Sequence, residues 1–374
     1  MSTPPHRPRV AVVFGGRSSE HSISCISAGS VIAALDPEKY DVLPVGITPA
    51  GRWVLESADP ARLALGPGGE LPTVTGTSPV ALDGGAELVV SEPGEVPRTL
   101  GEVDVVFPVM HGPWGQDGTL QGLLELAGVR YVGAGVLSSA VGTDKFFMKQ
   151  LFQAQGLPVL PYTVIHPRQW ERDQAGAREA VASLGYPVFV KPARAGSSFG
   201  ISRVDEPGGL DDAVEEASRF DPKVLVEAAA VGAREVEIGV LESMEAGRPE
   251  TSRIAEIRVG GEHLFYDFEA KYLPEQCTAL DIPADLPDDI ADRVRELAVA
   301  AFEALDVEGL ARVDFFVFPD DSSGPRVVLN EVETMPGFTA TSMFPRMWAA
   351  SGVDYPSLVD RLVQLALARG TGLR

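Results

Sequence analysis

Basic residues are scarce in this chain. Against 53 Asp and Glu stand 31 Lys and Arg, a formal net charge of −22. So acidic a surface repels phosphate backbones and anionic lipid, which argues against nucleic acid or a membrane as partner. It leaves room for a small anion held in a local pocket of Lys and Arg. Cysteine is also rare. Cys25 and Cys277 are the only two, far apart, which suits a reducing compartment and predicts a cytoplasmic protein. No apolar run approaches the roughly 18 residues needed to cross a bilayer. The opening MSTPPHRPRV is Pro-rich and polar, a short disordered tail rather than a signal peptide. Two nucleotide-binding signatures are missing as well. Neither G-x-x-x-x-G-K-[ST] nor G-x-G-x-x-G occurs, and there are no internal repeats.

What is present is the composition of a globular protein, 45% hydrophobic, with 374 residues available for two or three cores. Arg9 to Phe14 reads as a buried strand, Gly15-Gly16 as a turn and Ser22 to Leu35 as a helix, half of an α/β unit. Residues 57–100 are rich in Gly, Pro, Ser and Glu, with short strand-like pieces such as AELVV, and read as a peripheral insertion. VDVVFPVMHGPWGQDGTLQGLLELAG restarts the strand–loop–helix pattern, and Asp144 to Gln155 predicts a helix ending at Gly156. YPVFVKPARAGSSFGISRV reads as strand, Gly/Ser loop, strand, and KVLVEAAAVGAREVEIGVL as two strands around a turn. Residues 285–306 predict an amphipathic helix with Ile290, Val294, Leu297, Ala301 and Leu305 on one stripe. LARVDFFVF and RVVLNEVE then predict a hairpin through PDDSSGP.

Side chains alternate along a strand, so Arg312 shares a face with Asp314, and Glu331 shares one with Glu333 and Leu329. Pairing the two strands brings Asp314 beside the glutamates. Three carboxylates on one sheet face, with nothing basic interleaved, form a hard-cation site of the Mg2+ type; a solvated acidic strand has the same pattern. Lys191 at a strand end, before Gly196, Ser197, Ser198 and Gly200, could grip a phosphate through loop N–H groups and its own charge, although Gly/Ser turns between strands are usually only turns. Lys145 opens a helix. Glu227 ends a strand before a hinge of small residues, with Glu235 beyond it; a carboxylate can accept from a ribose hydroxyl, and strand-end backbone can read an adenine edge.

The order of these pieces is more specific than any one of them. FGGRSSEHSISCISA, HGPWGQDGTLQGLLELAGVRYVGAGVLSSAVGTDK, VKPARAGSSFGIS, FYDFEAKY, ARVDFF and NEVETMPGFTATSMFPRMW together closely resemble the D-alanine–D-alanine ligases of the ATP-grasp superfamily. The resemblance covers most of the chain apart from about residues 1–8 and 57–100. It implies an α/β, three-domain ATP-grasp fold: an N-terminal α/β substrate domain over 1–144, a central subdomain over 145–236 and a C-terminal catalytic domain over 237–374. It also implies a reaction. ATP phosphorylates one D-alanine, the amine of a second attacks the acyl phosphate, and the dipeptide feeds peptidoglycan synthesis.

Roles follow where the motifs match. The resemblance implies that Glu20 holds the first D-alanine's ammonium and that His111 lines its pocket. Lys145 and Lys191 contact ATP phosphates beside Ser197 and Ser198. Glu227, Ala228, Ala230 and Glu235 match the adenine and ribose stretch, with alanines where bulkier residues are usual. Ser197, Tyr272 and Glu20 form a triad that closes a lid and keeps water from the acyl phosphate. Lys271 reaches the γ-phosphate and the second substrate. Arg312 and the backbone N–H of Gly337 face the tetrahedral oxyanion. Ser342 and Met343 receive the second D-alanine's carboxylate. Asp314, Glu331 and Glu333 hold two Mg2+, with Mn2+ as substitute, on the ATP phosphates. The family pattern has asparagine where this chain has Glu333, which bears on the second metal and on activity. A homodimer is expected. The competing readings are a ligase joining D-alanine to D-lactate or D-serine, against which Tyr272 after Lys271 speaks, and a nucleotide-binding relative weakened by Glu333.

Overall fold

The computed structural model describes residues 7–92, 94–196, 199–245, 247–259, 278–320 and 326–372. Lys271, Tyr272, Ser197, Ser198, Cys277 and most of the PDDSSGP connection lie outside them.

The apolar run RVAVVFG forms β1 (Arg9–Gly15), and Gly15 and Gly16 end it with φ of +87° and +97°. Only glycine fits at Gly15, where a Cβ would meet the Ile47 carbonyl at 2.4 Å. Helix α1 (His21–Ala34) follows, then β2 (Asp41–Ile47) and β3 (Trp53–Leu55). Residues 57–100 supply β4 (Val80–Leu82), β5 (Glu87–Val90) and β6 (Arg98–Glu102), and β7 (Val105–Val109), α2 (Thr119–Leu126) and α3 (Val136–Thr143) complete this part. The main sheet runs β3-β2-β1-β7, with β1 parallel to both β2 and β7. The 57–100 segment is not peripheral. β4, β5 and β6 form an antiparallel sheet, and Val80, Leu88 and Val90 are buried against Val13 and Val45. Alternation in AELVV gives that small sheet an apolar face that only the main sheet can cover.

The next unit begins with α4 (Lys145–Ala154), capped by Asp144, whose carboxylate accepts from the Phe146 and Phe147 N–H groups. β8 (Tyr162–Ile165), α5 (Pro167–Arg172), α6 (Gln174–Ala182), β9 (Val188–Pro192), β10 (Ser202–Val204), α7 (Leu210–Ser218) and β11 (Val224–Ala228) follow. Their sheet runs β10-β9-β11-β8, all antiparallel.

The last sheet is built from β12 (Arg234–Leu241), β13 (Glu250–Thr251), β14 (Ala255–Val259), β15 (Thr278–Asp281), β16 (Leu310–Val317) and β17 (Val327–Glu333), in the order β15-β14-β12-β16-β17 with β13 on β12. Helix α8 (Asp288–Ala304) precedes β16 and buries the expected stripe from Ile290 to Leu305. α9 (Met343–Ala350) and α10 (Tyr355–Ala368) close the chain. They pack with β1, β7 and α1 in one apolar core, through Phe338, Phe344, Trp348, Leu358 and Leu362.

One register differs from the alternation read in the sequence. β17 bulges, with Asp314 opposite Glu331 but Phe315 opposite Leu329, so Asn330 is the extra residue. Leu329 therefore does not share a face with Glu331 and Glu333. It turns to the fully buried side with Phe315, and both glutamates turn to the other face.

Candidate active site

Three neighbouring strands place five ionisable residues on that other face. β12 contributes Glu237, β16 contributes Arg312 and Asp314, and β17 contributes Glu331 and Glu333. Glu235, two residues before Glu237, shares their side of β12. The face is not purely acidic, as the sequence had suggested. Arg312 grips Asp314 with both arms of its guanidinium, Nε to Oδ1 at 2.8 Å and a terminal nitrogen to Oδ2 at 2.7 Å, and its Nε lies 3.3 Å from Glu237 Oε2. Lys145 Nζ sits 3.1 Å from Glu331 Oε2. Cations of the protein itself thus stand between the carboxylates. The reason is register: Arg312 lies two residues from Asp314 and directly opposite Glu333.

The electrostatics follow. Burial disfavours the Arg312 charge, but Asp314 and then Glu237 outweigh it and hold its pKa well above the ordinary value. Glu333 goes the other way. Burial, with Glu331 and Glu20 against it and Arg312 only partly offsetting them, pushes its pKa up to about 7. Burial also works against Lys145, yet Glu331, ahead of Glu333 and Glu227, keeps its pKa above the usual lysine value.

No three carboxylate, histidine or cysteine ligands form a ready cation cage among the described residues. The donor set still fits Mg2+. Asp314, Glu331 and Glu333 offer hard oxygens on one face, and a carboxylate held near neutrality by burial and by other carboxylates gains from a cation. Mg2+ usually completes its shell on substrate phosphates and water rather than on protein alone.

Lys149 and Lys191 meet at a buried carboxylate. Glu227, on β11, is 1% exposed; its Oε1 lies 2.5 Å from Lys149 Nζ and its Oε2 2.6 Å from Lys191 Nζ. Burial alone would raise Glu227, but Lys149 and Lys191 hold it below its ordinary value. Lys145 also binds the root of the β9–β10 loop. Its N–H donates to the Ala193 carbonyl at 2.9 Å and its Nζ to the Ala195 carbonyl at 3.0 Å. At the strand end, the Ala228 N–H donates to the Pro161 carbonyl at 2.9 Å, and Ala230 follows in the turn closed by Ala233 N–H.

The N-terminal part reaches this face through Glu20, whose charge bears on Glu333. Glu20 is 8% exposed at the start of α1. Gly112, with φ of +75°, passes so close that a Cβ would lie 2.6 Å from Glu20 Oε2, and a Cβ on Gly196 would lie 3.3 Å from the same oxygen. Glu20 is therefore covered by the HGPWG turn and by Gly196. His111 donates through Nδ1 to the Met335 carbonyl at 3.2 Å, which leaves Nε2 to accept from Ser27 Oγ at 3.2 Å. Burial, only partly opposed by Glu20, lowers the His111 pKa and keeps the ring neutral. Met335 begins the MPGFT turn, so His111 joins the N-terminal part to the end of the last strand.

That turn is held from two sides. Ser342 Oγ accepts from the Thr339 N–H at 3.1 Å, and Tyr355 Oη donates to the Phe338 carbonyl at 2.7 Å. Gly337 immediately precedes these anchored residues, and a Cβ there would come 3.3 Å from Ser342 Oγ. Ser342 caps α9, whose first residue is Met343.

The structure thus brings together Glu20, His111, Lys145, Lys191, Glu227, Arg312, Asp314, Glu331, Glu333, Gly337 and Ser342. Sequence reasoning missed Lys149, Glu237 and Tyr355. Lys149 had a signal, since it lies four residues after Lys145 on the same helix face. Glu237 repeats the face of Glu235. Tyr355 carried none.

Comparison with known proteins covers nearly the whole chain. The family described as D-ala D-ala ligase N-terminus matches residues 9–134, and D-ala D-ala ligase C-terminus matches 151–364. A D-alanine–D-alanine ligase of Kineococcus radiotolerans is 58% identical over 381 residues, covering 100% of each chain. One from Pseudarthrobacter chlorophenolicus is 54% identical over 373 residues, covering 98% of this chain and 96% of the relative. Among solved structures, a D-Ala:D-Ser ligase from Enterococcus faecalis superposes with a TM-score of 0.80 at 34% identity, covering 96% of this chain and 100% of that one. The D-alanine–D-alanine ligase from Coxiella burnetii gives 0.78 at 32%, covering 96% and 94%.

Proposed function

The chain belongs to the D-alanine–D-alanine ligase family, and from that premise we propose how its residues divide the work of joining two D-alanines with ATP. The enzyme is an ATP-dependent carbon–nitrogen ligase with the ATP-grasp fold. We read three domains, 1–144, 145–236 and 237–374, with ATP between the second and third.

Glu20 takes the ammonium of the first D-alanine, and neutral His111 lines the pocket without adding charge. Lys145 and Lys191, with Ser197 and Ser198 of the same motif, hold the ATP phosphates. The strand end at Glu227, Ala228 and Ala230, with Glu235, receives the adenosine. Asp314, Glu331 and Glu333 would hold two Mg2+, for which Mn2+ can substitute; when bound, these ions neutralise phosphate charge during transfer. The carboxylate of the first D-alanine attacks the γ-phosphorus, giving D-alanyl phosphate and ADP. The amine of the second D-alanine, its own carboxylate received at Ser342 and Met343, then attacks the acyl carbon. Arg312 and the Gly337 N–H face the tetrahedral oxyanion, which collapses with loss of phosphate. Preorganised donors of this kind act without reorganising during the reaction. Lys271 and Tyr272 complete the lid, Tyr272 with Ser197 and Glu20. A cytoplasmic homodimer supplying peptidoglycan synthesis is the setting we propose.

One observation carries this reading. Arg312 is fixed by Asp314 and Glu237 on the face that also bears Glu331 and Glu333, beside the MPGFT turn. The test is phosphate release with ATP and Mg2+ over a panel of D-alanine, L-alanine, D-serine and D-lactate. D-alanine alone should support turnover. Equal rates with L-alanine would refute the assignment, and a rate that requires D-serine or D-lactate would move it to the mixed-substrate ligases.

A further inference from the structure

We propose that Lys149 is a positioning residue for the ligation reaction, one that keeps Lys191 available to phosphate and pins the β17 bulge that turns Glu331 and Glu333 to the site. The proposal rests on the functional assignment above. Lys149 is 1% exposed and touches three elements at once. It projects from α4, its Nζ lies 2.5 Å from Glu227 Oε1 on β11, and the same Nζ donates to the Asn330 carbonyl on β17 at 2.9 Å.

The first consequence is electrostatic. Lys149 and Lys191 share one carboxylate, and burial lowers the Lys149 pKa while Glu227 opposes it; with both lysines protonated this buried trio carries one positive charge in excess. Without Lys149, Glu227 would neutralise Lys191 one to one. The attraction left for a phosphate would then fall, at a place where low dielectric makes each charge count. The second consequence is geometric. Asn330 is the extra residue of the bulge, and a strand with an extra residue can slip back to plain alternation unless something holds it. α4 holds it twice. Lys149 binds the Asn330 carbonyl, and Met148 Sδ accepts from the Val332 N–H at 3.4 Å. Slippage would carry Glu331 and Glu333 to the apolar side.

The experiment compares the full-length enzyme with Lys149→Met, which keeps length and removes charge. Phosphate release is followed while ATP, D-alanine and free Mg2+ are varied in turn, with circular dichroism to confirm folding. Wild type is measured first; no D-alanine-dependent turnover there would sink the functional assignment rather than this inference. For folded Lys149→Met we expect KM for ATP to rise about tenfold or more, the scale of one lost charge-assisted hydrogen bond. The Mg2+ needed for half-maximal rate should rise with it, and KM for D-alanine should stay within about twofold. An unchanged KM for ATP, or equal changes for both substrates, would overturn the proposal. Lys149→Met/Glu227→Gln, set against Glu227→Gln alone, gives a second arm. With no carboxylate left to neutralise Lys191, the further loss of Lys149 should change KM for ATP by less than about twofold, whereas the Mg2+ requirement should still rise. A further rise of about tenfold in KM for ATP would refute the electrostatic role through Glu227. Loss of folding in both variants would overturn the proposal in favour of a purely structural lysine.

Discussion

Glu333→Gln should stabilise the metal-free enzyme at neutral and alkaline pH. Glutamine keeps the length of the side chain and removes its charge. In the native protein that charge is costly: burial, Glu331 and Glu20 raise the Glu333 pKa from 4.5 to about 7, although Arg312 lies directly opposite. The folded state therefore binds this proton more tightly than the unfolded chain does. Stability falls as pH rises from about 4.5 to about 7 and stays low above that window. The difference corresponds to roughly 3 kcal/mol as an upper figure, reduced where solvent reaches the edge of the side chain. Arg312 is not stranded by the substitution, because Asp314 and Glu237 still pair with it. The assay is thermal melting in EDTA for wild type and variant. At about pH 8 the variant should melt a few degrees higher, on a scale of roughly 1–2 °C per kcal/mol for a chain of this length. At about pH 4.5 the two should coincide, since wild-type Glu333 is then protonated. Adding Mg2+ should raise the wild-type melting temperature more than that of the variant. Parallel melting curves across this range, or a variant less stable at about pH 8, would refute the reasoning.

Further outcomes are expected at the same site. Arg312→Lys should lose roughly 3 kcal/mol of barrier lowering, a hundredfold or more in kcat, because a lysine cannot grip Asp314 bidentately and face the oxyanion as well; near-normal turnover in steady-state kinetics would remove Arg312 from the mechanism. Tyr355→Phe should free the Phe338 carbonyl and loosen the Gly337 turn, costing about 1 kcal/mol and appearing in kcat with KM for ATP unchanged. Glu333→Asn should turn over faster than wild type at low free Mg2+ and lose any special tolerance of Mn2+, because the shorter neutral ligand adds no repulsion toward phosphate; superimposable Mg2+ and Mn2+ titrations would make Glu333 a spectator.

Much of this was legible in the sequence because period and punctuation are local. The α8 stripe, the capped helix α4 and the Gly15-Gly16 break each depend on residues close in the chain. The carboxylate face was legible only in part. An alternating reading carries Leu329 along with Glu331, and a single extra residue at Asn330 reverses it. Nothing in VLNEVE announces that residue; the partner strand and α4 decide it. The basic residues between the carboxylates were hidden for a related reason. Lys145 arrives from another element, and the bidentate grip of Arg312 on Asp314 depends on side-chain conformations that alternation does not specify. The strand pieces of 57–100 were legible in AELVV, but their packing against the main sheet was not, because Gly, Pro and Ser dominate the composition while a few alternating apolar residues decide the packing.

The apolar core shared by β1, β7, α1, α9 and α10 has a consequence for synthesis on the ribosome. β1 and β7 are among the first segments made, yet one face of their sheet is finished by Phe344, Trp348, Leu358 and Leu362, which are among the last. Tyr40, near the start, is likewise bonded by Asp360 and Gln364. At ~5–20 residues per second, the early sheet waits on the order of tens of seconds with that face incomplete. The nascent chain thus carries an apolar surface that α1 covers only in part until the last helices are made. Holdase capture or aggregation during this interval, rather than the stability of the finished enzyme, would then set how much of it a cell accumulates.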